Sequence, residues 1–275
     1  MVDGLRCVKK PVLISKEPTN VRVALGSGFV DLATWSDVEQ LGAGSICTVA
    51  PWQLWVAEGN EGYREALESA KLILPDGNGI ILLLALKGIR QHRITGRELV
   101  ERVAQGTLWP EKTIVVVGAS DEARNRLLQR YGWKGYGGRF TASLAATKAE
   151  AIWASQREHL GPSGLVYLIA LGSPVQEIVG SELLKLDPAC VAVGIGGAIE
   201  TLAGTVPRPP DWVVRLRIEF LYRAVLQPHL RRRVVQALTI EVKIFVRLAW
   251  ARWVLEMRKR SHRPISAVQR RLQRG

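Results

Sequence analysis

The chain has 275 residues, 47% of them hydrophobic, enough for one sizeable core with or without an appendage, which excludes a disordered tail or a mini-protein. Its formal charge of +13 is unevenly placed: residues 228–275 hold 13 Lys/Arg against Glu241 and Glu256, a net of +11, while the rest carries 25 basic and 23 acidic side chains. Cys7, Cys47 and Cys190 are odd in number and far apart, which argues against a disulfide framework or a Cys-x-x-Cys zinc site and for buried thiols in a reducing compartment.

The opening residues, MVDGLRCVKKPVLISKEP, contain no apolar run of signal-peptide length, and the apolar run 80–86 is too short to span a bilayer, so a cytoplasmic protein is expected. Residues 1–44 read as an N-terminal extension, partly irregular. From residue 45 short runs rich in β-branched residues or leucine predict strands at 45–49, 71–74, 113–117, 165–170 and 190–193. Between them, segments with polar starts such as Thr95, Asp121 and Thr141 predict helices over about 60–70, 79–86, 95–105, 121–131, 142–159 and 174–186. Alternating strand and helix implies parallel strands with helical crossovers, hence an α/β, Rossmann-like three-layer core over 45–205.

The character changes at VPRPPDW, whose three prolines in four residues mark a boundary. Beyond it, 213–226 and 234–255 read as helices of a basic C-terminal appendage, 206–275. Glu241, Lys243, Arg247 and Arg252 weigh against a spanning helix, because each charge costs roughly 2.5–3.5 kcal/mol at the bilayer centre. Trp250 and Trp253 followed by Arg258, Lys259, Arg260 and Arg263 instead fit a helix lying in the interface of an anionic membrane. A domain-closing helix with a solvated basic end is the structural alternative, and nucleic acid would attract the same charge.

Three strand ends carry the candidate chemistry. Asp76 follows an apolar strand and precedes an apolar helix, placing a carboxylate where open parallel sheets bind ligands; it is a general base there, or simply one half of an Asp-Gly turn. LGSPVQE (171–177) offers amides near a helix start to a diphosphate, or an ordinary βα loop with Pro174 at the first turn. The glycines of 194–197 allow close backbone approach to a ligand, or serve the turn alone. The spacing G-x-G-x-x-G is absent from these three ends, which disfavours a nicotinamide or flavin cofactor. No Asp-x-Asp occurs and the four histidines are scattered, so neither metal nor cofactor is expected and arginines are left to meet phosphate charge.

Taken in order, Thr48, Pro75-Asp76-Gly77-Asn78-Gly79, Ile94-Thr95-Gly96 with Leu99, GYGGRF (135–140), LGSPVQE, GIGGAIETLAG (194–204) and PRPPDWVVRLRIEFLYRAVLQPHLRRR (207–233) resemble the WecG/TagA/CpsF glycosyltransferase family over most of 45–233. The resemblance implies an inverting transferase at the inner face of a bacterial membrane. It would move a sugar such as N-acetylmannosamine from a UDP-sugar donor to an undecaprenyl-diphosphate-linked acceptor. Asp76 would then be the catalytic base with Thr48 beside it. Gln176 and Glu177 would lie at the donor site, and Gly77, Asn78, Thr95, Gly96, Gly172, Pro174, Gly196, Gly197 and Glu200 would line the substrates. Arg208, Glu219, Arg223 and Arg231 would belong to an appendage reaching over the site and touching the membrane.

Departures from the family pattern are Ala50 where an Asn is usual, Ile199-Glu200 for Phe-Asp, Pro209 for Ala, Ile218 and Phe220 for Leu and Trp, and Gln227 for Glu. Ala50 removes an amide donor and acceptor from the pocket. The partners expected are thus a UDP-sugar, a lipid-linked sugar, an anionic membrane surface and a second copy of the chain, with no nucleic acid. A catalytically silent membrane-bound relative and a nucleic-acid binder are the alternatives.

Overall fold

A computed structural model describes residues 13–17, 20–25, 28–156, 164–215, 219–226, 231, 234–236, 238–239, 242–243, 246, 250, 253 and 257. The chain divides into two compact units, residues 1–222 and 223–275.

The first unit opens with three antiparallel strands, β1 (Leu13–Glu17), β2 (Asn20–Leu25) and β3 (Gly28–Asp31), in a stretch that reads from sequence as partly irregular. A short helix α1 (Trp35–Glu39), capped by Thr34 and Asp37, leads into β4 (Gly44–Val49). There follow α2 (Pro51–Glu58), α3 (Glu61–Ser69), β5 (Leu72–Pro75), α4 (Asn78–Leu86), α5 (Gly96–Ala104), β6 (Thr113–Gly118), α6 (Asp121–Tyr131) and β7 (Lys134–Tyr136). A 3-10 turn at Ala142–Leu144 runs into α7 (Ala145–Gln156); β8 (Leu165–Ala170), α8 (Val175–Leu186), β9 (Val191–Gly194) and α9 (Ala198–Ala203) complete the core, followed by α10 (Asp211–Arg215) and α11 (Glu219–Leu226).

Six strands form one parallel sheet in the order β5-β4-β9-β8-β6-β7. All five strands expected from sequence belong to it, and β7 is an additional short edge strand. Strand residues alternate between faces, as the pleat requires. On β8, Val166 and Leu168 join Ile46, Leu99, Leu127, Val193 and Ile199 on the side of α5, α6 and α9, while Leu165, Tyr167 and Ile169 join Ala149, Val179 and Leu183 on the side of α7 and α8. Two apolar layers with a sheet between them make the Rossmann-like three-layer arrangement.

The N-terminal sheet is fastened beside β5 by a buried ion pair. Arg22 and Asp31 are 4% and 2% exposed; Arg22 Nε donates to Asp31 Oδ1 at 2.7 Å and its Nη2 to the carbonyl of Ala70 at 2.8 Å. Asp31 Oδ2 in turn accepts from the backbone N–H of Ile73 at 2.7 Å, so the outer edge of β5 is occupied.

The predicted helices 142–159 and 213–226 lie partly outside the described residues, as does 234–255, and the basic stretch 258–263 lies wholly outside them. The described residues of 231–257 are helical, and no helix among the described residues is long and apolar enough to cross a membrane.

Candidate active site

The sheet register brings four strand ends level. Thr48 lies opposite Leu74, Val49 opposite Pro75, Cys47 opposite Gly194, and Ile169 opposite Gly194. The loops after β5, β4, β9 and β8 therefore open side by side. The chain leaves β4 towards β5 on one side while β9 arrives from β8 on the other, and such a switch point is where open α/β sheets leave a ligand crevice.

Asp76 sits at this edge, half-buried. Its own N–H and that of Gly77 both donate to the carbonyl of Val49, at 3.1 and 3.2 Å, so the turn is pinned to the end of β4. The amide of Gly96, first residue of α5, donates to Asp76 Oδ2 at 3.4 Å, setting the positive end of that helix beside the carboxylate. Two glycines make this approach feasible. A methyl group on Gly77 would stand 2.8 Å from Ala50 Cβ, and one on Gly96 would stand 3.2 Å from the carbonyl oxygen of Ile195. Thr95 is buried and caps α5: its hydroxyl donates to Glu98 Oε2 at 2.8 Å and accepts from the Glu98 amide at 3.1 Å. The hydroxyl of Thr48 donates to the carbonyl of Gly194 at 3.0 Å, tying β4 to β9 under the crevice.

Beneath the loops after β8 and β9 lies a polar network. Gln176 Oε1 accepts from the amides of Gly172 and Gly196, each at 3.1 Å, and its Nε2 donates to Glu177 Oε1 at 2.9 Å. Ser173 Oγ donates to the same Glu177 oxygen at 2.6 Å and accepts at 2.6 Å from Gln53 Nε2, which also donates to the Thr48 carbonyl at 3.1 Å. Gln53 Oε1 closes the circuit by accepting from the Ala50 amide at 2.7 Å.

Gln176 and Glu177 are each only 3% exposed. Burial pushes the Glu177 carboxyl up from the usual range, partly offset by the Ser173 and Gln176 hydrogen bonds. Burial also raises the Tyr63 hydroxyl and the Cys47 thiol, both of which feel the Glu177 carboxylate as a second cause. The amide oxygen of Gln176 is thus committed to the two glycine loops, and with it the Gly172 N–H, one of the amides of 171–177 that sequence offered to a diphosphate. Gly194 has no room for a side chain because Gln176 Nε2 would lie 2.9 Å from its Cβ. Pro174, joined to Ser173 by a cis peptide, precedes α8, and Gly197 precedes α9.

The remaining sequence candidates fall into three places. Asn78, at the start of α4, accepts through Oδ1 from Arg93 Nη1 at 3.4 Å; Arg93 Nη2 reaches Glu219 Oε1 at 3.3 Å, and Arg97 approaches the same oxygen at 4.0 Å. Glu219 is therefore linked through Arg93 to the Asp76 turn. Glu200 points to the neighbouring strand end, where Oε1 accepts from the Ser120 amide at 2.8 Å and Oε2 from the Ser120 hydroxyl at 3.0 Å, with Thr205 as a further donor. Arg208 is exposed in the loop after α9. In the second unit Arg231 is exposed, its Nε donating to the carbonyl of Ala224 at 3.1 Å, and the side chain of Arg223 lies outside the described residues. Among the described residues no three of His, Cys, Asp and Glu gather where a metal ion would bind.

Gln53, Tyr63, Ser173, Arg93 and Arg97 escape a reading by sequence alone. Only Gln53 carries a local signal: it stands at the third position of a helix opened by Pro51, where a side chain can reach back to the first amide.

Comparison with known proteins gives a consistent family. The description "Glycosyl transferase WecG/TagA/CpsF family" matches residues 27–259. Two relatives both bear the name N-acetylglucosaminyldiphosphoundecaprenol N-acetyl-beta-D-mannosaminyltransferase. That of Bacillus subtilis (strain 168) is 27% identical over 210 residues, 74% of this chain and 79% of its own length. That of Bacillus spizizenii (strain ATCC 23059 / NRRL B-14472 / W23) is 28% identical over 214 residues, covering 76% and 81%.

Proposed function

This chain belongs to the WecG/TagA/CpsF glycosyltransferase family, and from that premise we propose that it moves an N-acetylmannosaminyl or related hexosyl group from a UDP-sugar to an undecaprenyl-diphosphate-linked sugar, with inversion. The observation that carries the assignment is Asp76, held at the level ends of β5, β4 and β9 by the Val49 carbonyl and the Gly96 amide. The carboxylate takes the proton of an acceptor hydroxyl. That oxygen bonds to the anomeric carbon while the bond to the UDP oxygen breaks on the opposite face. Arg93, fixed between Asn78 and Glu219, brings a guanidinium to the Asp76 turn to meet negative charge. Gln176 and Glu177 act from below, setting the shape of the two glycine loops.

Asp76→Asn keeps the size of the side chain and removes its basicity. UDP release from a UDP-sugar and a polyprenyl-diphosphate-GlcNAc analogue should fall by roughly 10²–10⁴-fold, the usual worth of a positioned base, with the urea midpoint unchanged. Turnover within about twofold of the parent, or no turnover by the parent with any UDP-sugar, counts against the proposal.

The second unit supports action at a lipid surface. Val242, Val246, Trp250, Trp253 and Met257 are exposed at helical spacing, with the two indole rings 5.2 Å apart, on a segment rich in arginine. Basic residues near an anionic surface contribute about 1 kcal/mol each, and exposed rings suit the headgroup layer. Co-sedimentation with phosphatidylglycerol vesicles, weaker with neutral lipid and reduced by Trp250→Ser with Trp253→Ser, is the expected result. Retention on DNA without any on anionic vesicles would point to nucleic acid instead.

A further inference from the structure

α4 is apolar on every side, yet only one side of it is covered. From Gly79 to Leu86 it carries no polar side chain. Gly79, Ile80, Leu83 and Leu84 are buried, whereas Leu82 and Leu86 are 47% and 43% exposed. Ala85 is exposed beside them, and half-buried Ile81 and Ile89 extend the same stripe at helical spacing. A helix that meets water on one face ordinarily turns polar residues to it, and a contiguous exposed apolar stripe marks a docking surface. The chemistry assigned to Asp76 gives this stripe no task.

The charge around the stripe says what docks there. Between Asp76 and Glu98 the chain has no acidic residue, while Lys87, Arg90, Arg93 and Arg97 are basic. Glu219 meets the last two, at 3.3 and 4.0 Å. Lys87 and Arg90 are exposed just past the leucines, with Lys87 Nζ donating to the carbonyl of Ala24 at 3.3 Å. Leucines on one face with lysine and arginine at its margin are what a helix lying in the surface of an anionic bilayer presents. A second copy packed on the stripe about a two-fold axis would instead set two cationic segments against each other. Nucleic acid would engage the cations and leave the leucines in water. We propose that the outer face of α4 is a lipid-docking surface of the first unit: Leu82, Ala85 and Leu86 enter the headgroup layer of an anionic membrane, and Lys87 and Arg90 meet its phosphates. α4 begins two residues after Asp76 and is about 14 Å long at the usual helical rise, so docking holds the proposed base close to the bilayer. Only the purpose of the surface, bringing Asp76 to a membrane-borne acceptor, rests on the glycosyl transfer proposed above.

A dye on α4 tests this independently of the tryptophans of the second unit. Leu86→Cys and, as a control on exposed α6, Gln129→Cys are labelled with nitrobenzoxadiazole in a Cys7→Ser background, Cys47 and Cys190 being buried. With vesicles of brominated phosphatidylglycerol the label at 86 should shift to the blue and be quenched, and the label at 129 should do neither. Leu82→Asp combined with Leu86→Asp should weaken vesicle binding by about tenfold or more, with the urea midpoint unchanged. Lys87→Glu combined with Arg90→Glu should do the same for phosphatidylglycerol but not for neutral lipid. No vesicle binding by the folded parent, equal signals at 86 and 129 in the bound state, or undiminished binding by the aspartate variant would each overturn the surface. So would a parent dimer in sedimentation velocity that the aspartate variant dissolves, which assigns the stripe to a second copy. Quenching at 86 in a protein that transfers no sugar would keep this surface and remove the transferase reading. Sugar transfer abolished by Asp76→Asn, with the label at 86 unquenched, would do the reverse.

Discussion

Replacing Gln176 with Met preserves length and approximate volume but strips every polar contact from the centre of the network. The Gly172 and Gly196 amides lose their shared acceptor and Glu177 Oε1 loses one of its two donors. A buried polar group left without a partner costs about 1–3 kcal/mol. Both glycines are half-buried, so water recovers part of their loss, and a total of about 2–4 kcal/mol is expected. Urea unfolding followed by tryptophan fluorescence measures this directly, and steady-state assays should show a lower kcat as the two loops lose their common tie. Gln176→Glu separates the contributions. It keeps the acceptor for both amides but sets a second carboxyl where the amide nitrogen lay 2.9 Å from Glu177. Two carboxylates so close do not both ionise. The folded variant should therefore hold a proton that the unfolded chain releases above about pH 4.3, and lose stability as pH rises from there. A Met variant within about 0.5 kcal/mol of the parent and equally active would refute the account of Gln176 as the tie.

Other consequences can be checked with the same preparations. Asp31→Asn leaves Arg22 buried without a counter-charge and should cost about 3–5 kcal/mol in urea unfolding, whereas Asp31→Leu combined with Arg22→Met should recover much of it; equal losses would exclude the ion pair as the cause. Burial raises the Glu177 carboxyl above its unfolded value, so the parent loses stability as pH climbs from about 4.3 through the folded value, and Glu177→Gln should remove that part of the slope. Parallel curves of urea midpoint against pH for parent and variant would contradict this. Gly77→Ala forces its new methyl against Ala50 and should lower turnover while costing about 1–3 kcal/mol; unchanged kcat would mean that the Asp76 turn tolerates displacement.

How much of this was readable beforehand follows from where each signal resides. Runs such as 113–117 and 165–170 declare buried parallel strands by composition, because both faces of such strands are covered and no alternation is needed. Asp76 stood out because an acidic turn interrupts two apolar segments. The antiparallel strands before residue 32 are short, and the pairing of Arg22 with Asp31 across nine residues has no periodic signature. The same holds for Gln53 and Ser173, separated by 120 positions, whose meeting depends on β4 and β8 flanking β9. Glu200 shows the opposite situation. It was expected to line the substrates, and its carboxylate is engaged by Ser120 and Thr205, one from just beyond the end of β6 and one five residues along the chain.

The strand order has a bearing on how the chain is made. β9 joins β4 on one side to β8 on the other, yet it is the last of the six parallel strands to leave the ribosome. Until residue 194 has emerged, β5-β4 and β8-β6-β7 are two separate ribbons, each with a bare hydrogen-bonding edge where β9 will insert. A nascent chain paused before that point, or one truncated there, exposes two sticky borders at once, and aggregation rather than a weakened enzyme is the outcome to look for.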